Sequence, residues 1–235
     1  MTSAPVFPQG KASRQHSLRH LLRRLARDAS GVAFIEFAYV LPILLTLGLV
    51  GADLARLAIV NMQVSQIALS VADNAARLGQ TDNTGITPTI QEGDVDAVLG
   101  GAMWEGQSID LEKNGRIILS SFEFHTDKNR QYIHWQRCRG QLNKRSAYGN
   151  DTDRNGLTGP AMKGIGQGTP RITAGRGTAV MFVEITYNYE GLLGMPYGLG
   201  EKELRHEGAF LIRDDRELAR GLAGTSNRSR CGANA

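Results

Sequence analysis

The sequence predicts an α+β fold, a long amino-terminal helix packed on a small antiparallel sheet. Three observations carry this. An apolar run at 32–52 passes without a break into an amphipathic helical pattern that continues to residue 78. Asn114-Gly115 lies between short β-rich runs, and TAVMFVEITYNY at Thr178–Tyr189 is β-branched and aromatic. The chain has 235 residues, with 41% hydrophobic and 21% charged, which fits neither wholesale disorder nor a multi-span membrane protein. Two cysteines exclude a disulfide-dense scaffold.

Charge is unevenly distributed. The formal net charge is +4, yet residues 1–31 hold six basic side chains (Lys11, Arg14, Arg19, Arg23, Arg24, Arg27) against Asp28, a net of +5 that leaves the remainder at −1. The basic pI of about 9.2 therefore belongs mostly to this leader, which weakens any nucleic-acid reading of the whole chain. Residues 1–18 show no apolar period and read as a flexible tail. Leu18, Leu21, Leu22 and Leu25 then recur at helical spacing beside arginines, a short basic amphipathic helix suited to an anionic membrane surface.

Val32 to Ala52 gives about 31 Å of helix with one acidic or basic residue, Glu36, enough for one membrane crossing. The charge excess lies on the amino side, so residues 1–31 are expected in the cytoplasm and the chain after about 53 outside. Pro42 should kink the helix, and Gly48 with Ala52 offers a weak small-xxx-small contact face. Leu57, Val60, Val64, Ile67, Val71 and Leu78 extend an apolar stripe, and Gly79 is the expected stop. The two segments together predict one helix of roughly 48 residues, on the order of 70 Å long.

Thr84 to Pro88 reads as a connector and Glu92 to Met103 as a short helix around Val95, Val98 and Leu99. Ser108–Leu111 and Arg116–Phe124 flank Asn114-Gly115 as a predicted hairpin, and Arg130–Arg139 is a candidate third strand. Gly140 to Gly177 is a Gly-, Asn-, Asp- and Thr-rich loop without expected regular structure. Thr178–Tyr189 is the strongest strand, with Val183, Ile185, Tyr187 and Tyr189 on one face; Gly208–Arg213 is a last strand. The organisation expected is a basic leader (1–31), a transmembrane and amphipathic helix (32–79), an extracytoplasmic α+β domain (80–224) and a polar tail (225–235).

At the leader junction a glycine is followed at once by the apolar run, and Glu36 is the fifth residue after Gly31. A carboxylate there costs about 2.5 to 3.5 kcal/mol on insertion scales unless it reaches the interface or finds a partner. The arrangement resembles the type IV pilin and pseudopilin leader. SGVAFIEFAYVLPILL is more closely similar to the amino-terminal signature of TadE/TadG-like proteins of bacterial tight-adherence (Flp) pilus assembly, through Gly31, Glu36, Phe37, Ala38 and Pro42.

The resemblance implies a broadly pilin-like fold and cleavage by prepilin peptidase between Gly31 and Val32. It also implies an assembly role for Glu36 and Phe37, and a single-pass inner-membrane protein with a periplasmic domain. Cleavage would expose the α-amine of Val32 one i,i+4 step from Glu36, so acid and amine could neutralise each other. The long leader and large external part suggest a minor pseudopilin whose partners are other pilus assembly proteins, bound through the helix. No enzymatic activity, cofactor, metal or nucleic acid is implied. The alternative is a secreted or single-span envelope binding protein or enzyme, secretion requiring a signal-peptide cut after Val50-Gly51-Ala52.

Cys138 and Cys231 fall outside the membrane on this topology, where a disulfide is favoured; two unpaired thiols are the alternative. His125, His134 and Cys138 lack the further ligand of a zinc site. Asp151, Asp153, Asn155 and Gly156 match the first half of a calcium loop, but Met162 stands where a bidentate Glu belongs. The basic and aromatic residues at 128–145 fit a charged sheet edge better than a nucleic-acid platform. His206 and Glu207 read as solvent-facing, and no local nucleophile–base motif is present.

Overall fold

The computed structural model describes residues 22–25, 30–79, 88–191, 200–213, 216–225 and 228–232. Most of the leader, the connector before Pro88 and parts of the tail lie outside the described residues; residues 22–25 are helical. The chain divides into two units, Met1–Gly51 and Ala52–Ala235. Helix α1 (Ser30–Ala76) contributes to both.

In the second unit the elements are α1 from residue 52, α2 (Glu92–Glu105), a 3₁₀ turn (Gln107–Ile109), α3 (Leu111–Asn114), β1 (Gly115–His125), β2 (Arg130–Arg139), β3 (Ala179–Glu190) and β4 (Glu201–Leu211). The four strands form one sheet in the order β2-β1-β3-β4, every pair antiparallel. This is the α+β arrangement that the sequence pattern predicts.

Alternation assigns the faces of the sheet. Odd-numbered residues of β3, from Ala179 to Tyr189, join Ile117 and Leu119 against Val60, Val64, Ile67 and Val71 of α1. The expected stripe is therefore the packed one, and Ala68, Ala72, Ala75 and Ala76 widen it. The helix closes through a turn at 77–79 in which Gly79 takes φ +77°, the left-handed conformation that glycine adopts without strain.

Gly208 of β4 meets α1 more closely than any side chain would permit. A Cβ built on it would lie 2.5 Å from the carbonyl oxygen of Ala68. Helix and sheet approach there through a glycine and an alanine.

The other face carries Phe122, Ile133, Val180 and Phe182, covered by Ile165 and Ala174 of the loop at 140–178, with Tyr148 and Met162 beside them. Because both faces are covered, β3 is buried through nearly its whole length. The loop has no helix or strand, only isolated bridges such as Ile165 to Ile172.

The Asn114-Gly115 hairpin is not formed. Asp110 adopts φ 51°, residues 107–114 coil helically, and Gly115 opens β1 with φ −130°. Leu111 is the reason: fully buried, it occupies the space that a Cβ on Gly106 or Gly115 would need, pulling 108–111 into a helical packing role instead of a strand. The hairpin turn lies at 126–129 between β1 and β2, where Asn129 has φ 50°. The last strand begins at Glu201, earlier than its apolar end suggested, since its first half is charged.

Nor is the carboxy-terminal segment simply a polar tail. Cys138 and Cys231 are joined by a disulfide with Cα atoms 4.8 Å apart, and Cys138 N–H donates to Ser229 O at 2.7 Å. The link spans 93 residues, for which loss of denatured-state entropy gives about 4 to 5 kcal/mol in the chain-entropy account. Together with Asn155, whose carbonyl accepts from Ile133 N–H, and Asp151, which accepts from Gln136 N–H, this segment satisfies the outer edge of β2.

Candidate functional site

The amino-terminal site is built on residues 30–51 of α1. Its apolar side chains are exposed, among them Val32, Phe34, Ile35, Phe37, Tyr39, Ile43, Leu44 and Leu47. A helix apolar on all sides has no solvated face. Among the described residues this is the one helix long and apolar enough to cross a membrane, which fits a single-pass membrane protein.

Glu36 is also exposed, with Val32 one helical step before it. Pro42 lies inside the helix and donates nothing to Ala38 O; the Thr46 hydroxyl donates to Pro42 O at 2.7 Å, a side-chain bond to the preceding turn. A Cβ on Gly31, Gly48 or Gly51 would meet nothing within 4 Å, so no packing inside this chain requires those glycines.

Beyond the apolar segment, Asp53 is fully buried and its carboxylate accepts the phenolic proton of Tyr189 at 2.7 Å. Burial first, then the hydrogen bond and charge of Asp53, push the Tyr189 phenol up to about 12. At the far end of the helix-facing side, Glu123 gathers three groups. Ser121 Oγ donates to it at 2.7 Å, Tyr132 OH donates at 3.2 Å, and His134 Nδ1 lies 3.0 Å from Oε2.

The hydrogen bond to Glu123 raises the His134 pKa; partial burial opposes it and the carboxylate charge adds to it. Burial raises the Tyr132 phenol as well. The Ser121 proton goes to the carboxylate, so this network lacks a nucleophile–base contact. Arg216, buried nearby, donates to Ala75 O and Leu78 O at the end of α1, and burial lowers its guanidinium to about 10 despite the opposing charge of Glu123.

Two arginines fix the domain through further ion pairs. Arg137 on β2 holds Glu92 at the start of α2 with both forks, its Nε at 2.9 Å. On the loop side, Arg205 bridges Glu184 and Glu207 at 2.8 and 2.7 Å, while Ser146 Oγ and Ala147 N–H also donate to Glu184. Burial is the largest influence on the Glu184 carboxyl and raises it against those partners. Glu207 accepts from Tyr148 OH and Gln167 N–H, and His206 Nε2 lies 2.8 Å from Asn61 Oδ1. Residues 206 and 207 are thus half-buried anchors of α1 and the loop, contrary to the solvent-facing expectation.

The remaining sequence candidates resolve into structure. Cys138 is spent on the disulfide and His134 on Glu123, which leaves the zinc reading without its ligands. Asp153 accepts from Asn150 and Thr152, Asn155 caps 157–158, and Asp151 faces Gln136 and Arg137, so the calcium-loop oxygens point to separate partners. Among the described residues, no group of three or more His, Cys, Asp or Glu could hold a metal ion.

Sequence reading missed the Glu123 network because its members lie on two strands, and His134 sits at an irregularity where Ser121 pairs with Trp135 but Phe122 with Ile133. Compared with known proteins, the chain matches no family model, no curated protein and no solved structure.

Proposed function

We propose that this protein is a TadE-like minor pseudopilin, a structural component of tight-adherence (Flp) pilus assembly held in the bacterial inner membrane by α1, with its α+β domain in the periplasm. The observation that carries the reading is the helix of residues 30–51: its apolar residues are exposed, and its one acid, Glu36, follows Gly31 by five positions. Prepilin peptidase cuts between Gly31 and Val32, and other pilus assembly proteins pack on the helix. Exposed Leu54, Met62 and Leu69, off the buried stripe, supply apolar surface for such packing.

The signal-peptide alternative places its cut between Ala52 and Asp53. That cut would fall inside α1 and put a new charged amine on Asp53, whose side chain is buried under Tyr189. The anchor reading avoids this cost. Mass analysis of the membrane-extracted protein tests it. A mature chain beginning at Val32 is expected; one beginning at Asp53 overturns the anchor, and an intact amino terminus removes the processing step.

A further inference from the structure

The loop at 140–178 concentrates positive charge on a body that is otherwise acidic. It holds six basic residues (Lys144, Arg145, Arg154, Lys163, Arg171, Arg176) against Asp151 and Asp153, a net of +4 within a post-leader chain of net −1. Arg154, Lys163 and Arg171 line one concavity of about 610 Å3, together with Tyr148, Pro160 and Met162. That volume lies in the range of small-ligand sites, roughly 300 to 1,000 Å3.

No carboxylate lines the concavity, and among the described residues none of these three side chains forms an ion pair or hydrogen bond. Arg154 does act at a distance on Asp153, whose carboxyl is held low chiefly by the Asn150 hydrogen bond. The other cations have partners or lie elsewhere: Lys144 pairs with Glu203, and Arg176 lies over the Phe124 ring.

The wall is fixed in place. Ile165 and Ile172 exchange two backbone hydrogen bonds, at 2.8 and 2.9 Å, in an antiparallel bridge that ties the segment carrying Lys163 to the one carrying Arg171. Gly164 permits the close approach, since a Cβ there would lie 2.8 Å from Arg171 Cβ. Underneath, Tyr148 is held by Glu207 and packs edge-on against Phe182. Ordering so long a loop is entropically costly, and its packing sets the backbone positions from which three exposed cations surround a hollow.

We infer that this concavity binds a small molecule carrying an oxyanion group, phosphate or carboxylate, and an apolar face, in the size class of a sugar phosphate or uronic acid. Arg154 and Arg171 present planar forks to the oxyanion and Lys163 a point charge. Tyr148, Pro160 and Met162 offer the apolar surface. The inference is independent of the pilus reading.

The test uses the full chain in detergent micelles, titrated calorimetrically with inorganic phosphate, glucose 6-phosphate, glucuronate and glucose. Saturable binding of glucose 6-phosphate or glucuronate is expected, with Kd on the order of 0.1 to 1 mM, displaced by phosphate and weakened by salt. Binding of one but not the other identifies which oxyanion the site takes. Arg154→Gln and Arg171→Gln should each weaken binding roughly tenfold, whereas Arg220→Gln, an exposed cation outside the cleft, should not change it. The inference is overturned if neither sugar acid binds below about 10 mM, if glucose binds equally well, or if Arg220→Gln weakens binding as much as Arg171→Gln.

Discussion

His134 joins strand irregularity to pH response. Its pKa lies above the ordinary 6.5 because Glu123 accepts its hydrogen bond, and partial burial does not cancel that gain. The folded protein thus holds the proton more tightly than the unfolded chain. The stabilisation is complete below pH about 6.5 and is lost as pH rises through the folded value. Glu184, raised by burial, gives a change of the same sign from a lower starting point, so the two contributions are separated by a variant. Urea unfolding at about pH 5.5 and about pH 8.5 should show a smaller pH dependence in His134→Gln than in wild type. Equal dependence in both would remove His134 as the source. None of this was legible in the sequence, where His134 stands near Cys138 and invites a metal reading. The extra residue in β2 that turns its ring to Glu123 has no local signature.

At the scale of elements, period was the reliable signal. The apolar stripe of α1 and the alternation in β3 were both readable because burial on one face enforces each repeat. Composition without period misled: Asn114-Gly115 is a strong hairpin signal, yet burial of Leu111 coils the preceding residues. The charged first half of β4 hid a strand whose Arg205 and Glu207 serve the loop-side network. Gly208 shows what spacing cannot reveal. Gly208→Ala would push a methyl into the Ala68 carbonyl at 2.5 Å, and neither backbone can yield without disturbing the β4–α1 contact. A loss of about 2 to 3 kcal/mol is expected in urea unfolding. Gly93→Ala, where a Cβ meets nothing within 4 Å, serves as the control and should not destabilise. Equal stability of Gly208→Ala and wild type would show that helix and strand are not packed this closely.

The molecule as a whole separates its charges and its surfaces: a basic leader, an apolar helical segment with one acid, and an acidic body carrying a basic loop. The apolar helical segment was legible because hydropathy needs no tertiary context; the basic concavity was not, since 154, 163 and 171 meet only through the fold of the loop. The remaining question at this scale is what Glu36 is for. If it serves only as an interfacial carboxylate, its removal changes little. On the pseudopilin reading it is the partner of the Val32 amine, within one chain or between neighbours. Glu36→Ala and Glu36→Gln should then leave insertion intact, since removing a charge from an apolar helix lowers the insertion cost, by up to about 2.5 to 3.5 kcal/mol at full depth. What they leave behind is an unpaired cation in a low-dielectric setting, and such a deletion costs more than the pair itself contributes. The loss should therefore appear in assembly: recovery of pilus assembly proteins with either variant should fall severalfold at equal membrane abundance. Recovery at the wild-type level would mean that the carboxylate is a tolerated interfacial group, and the charge-pairing basis of the reading would be lost even if Gly31 is still the cleavage point.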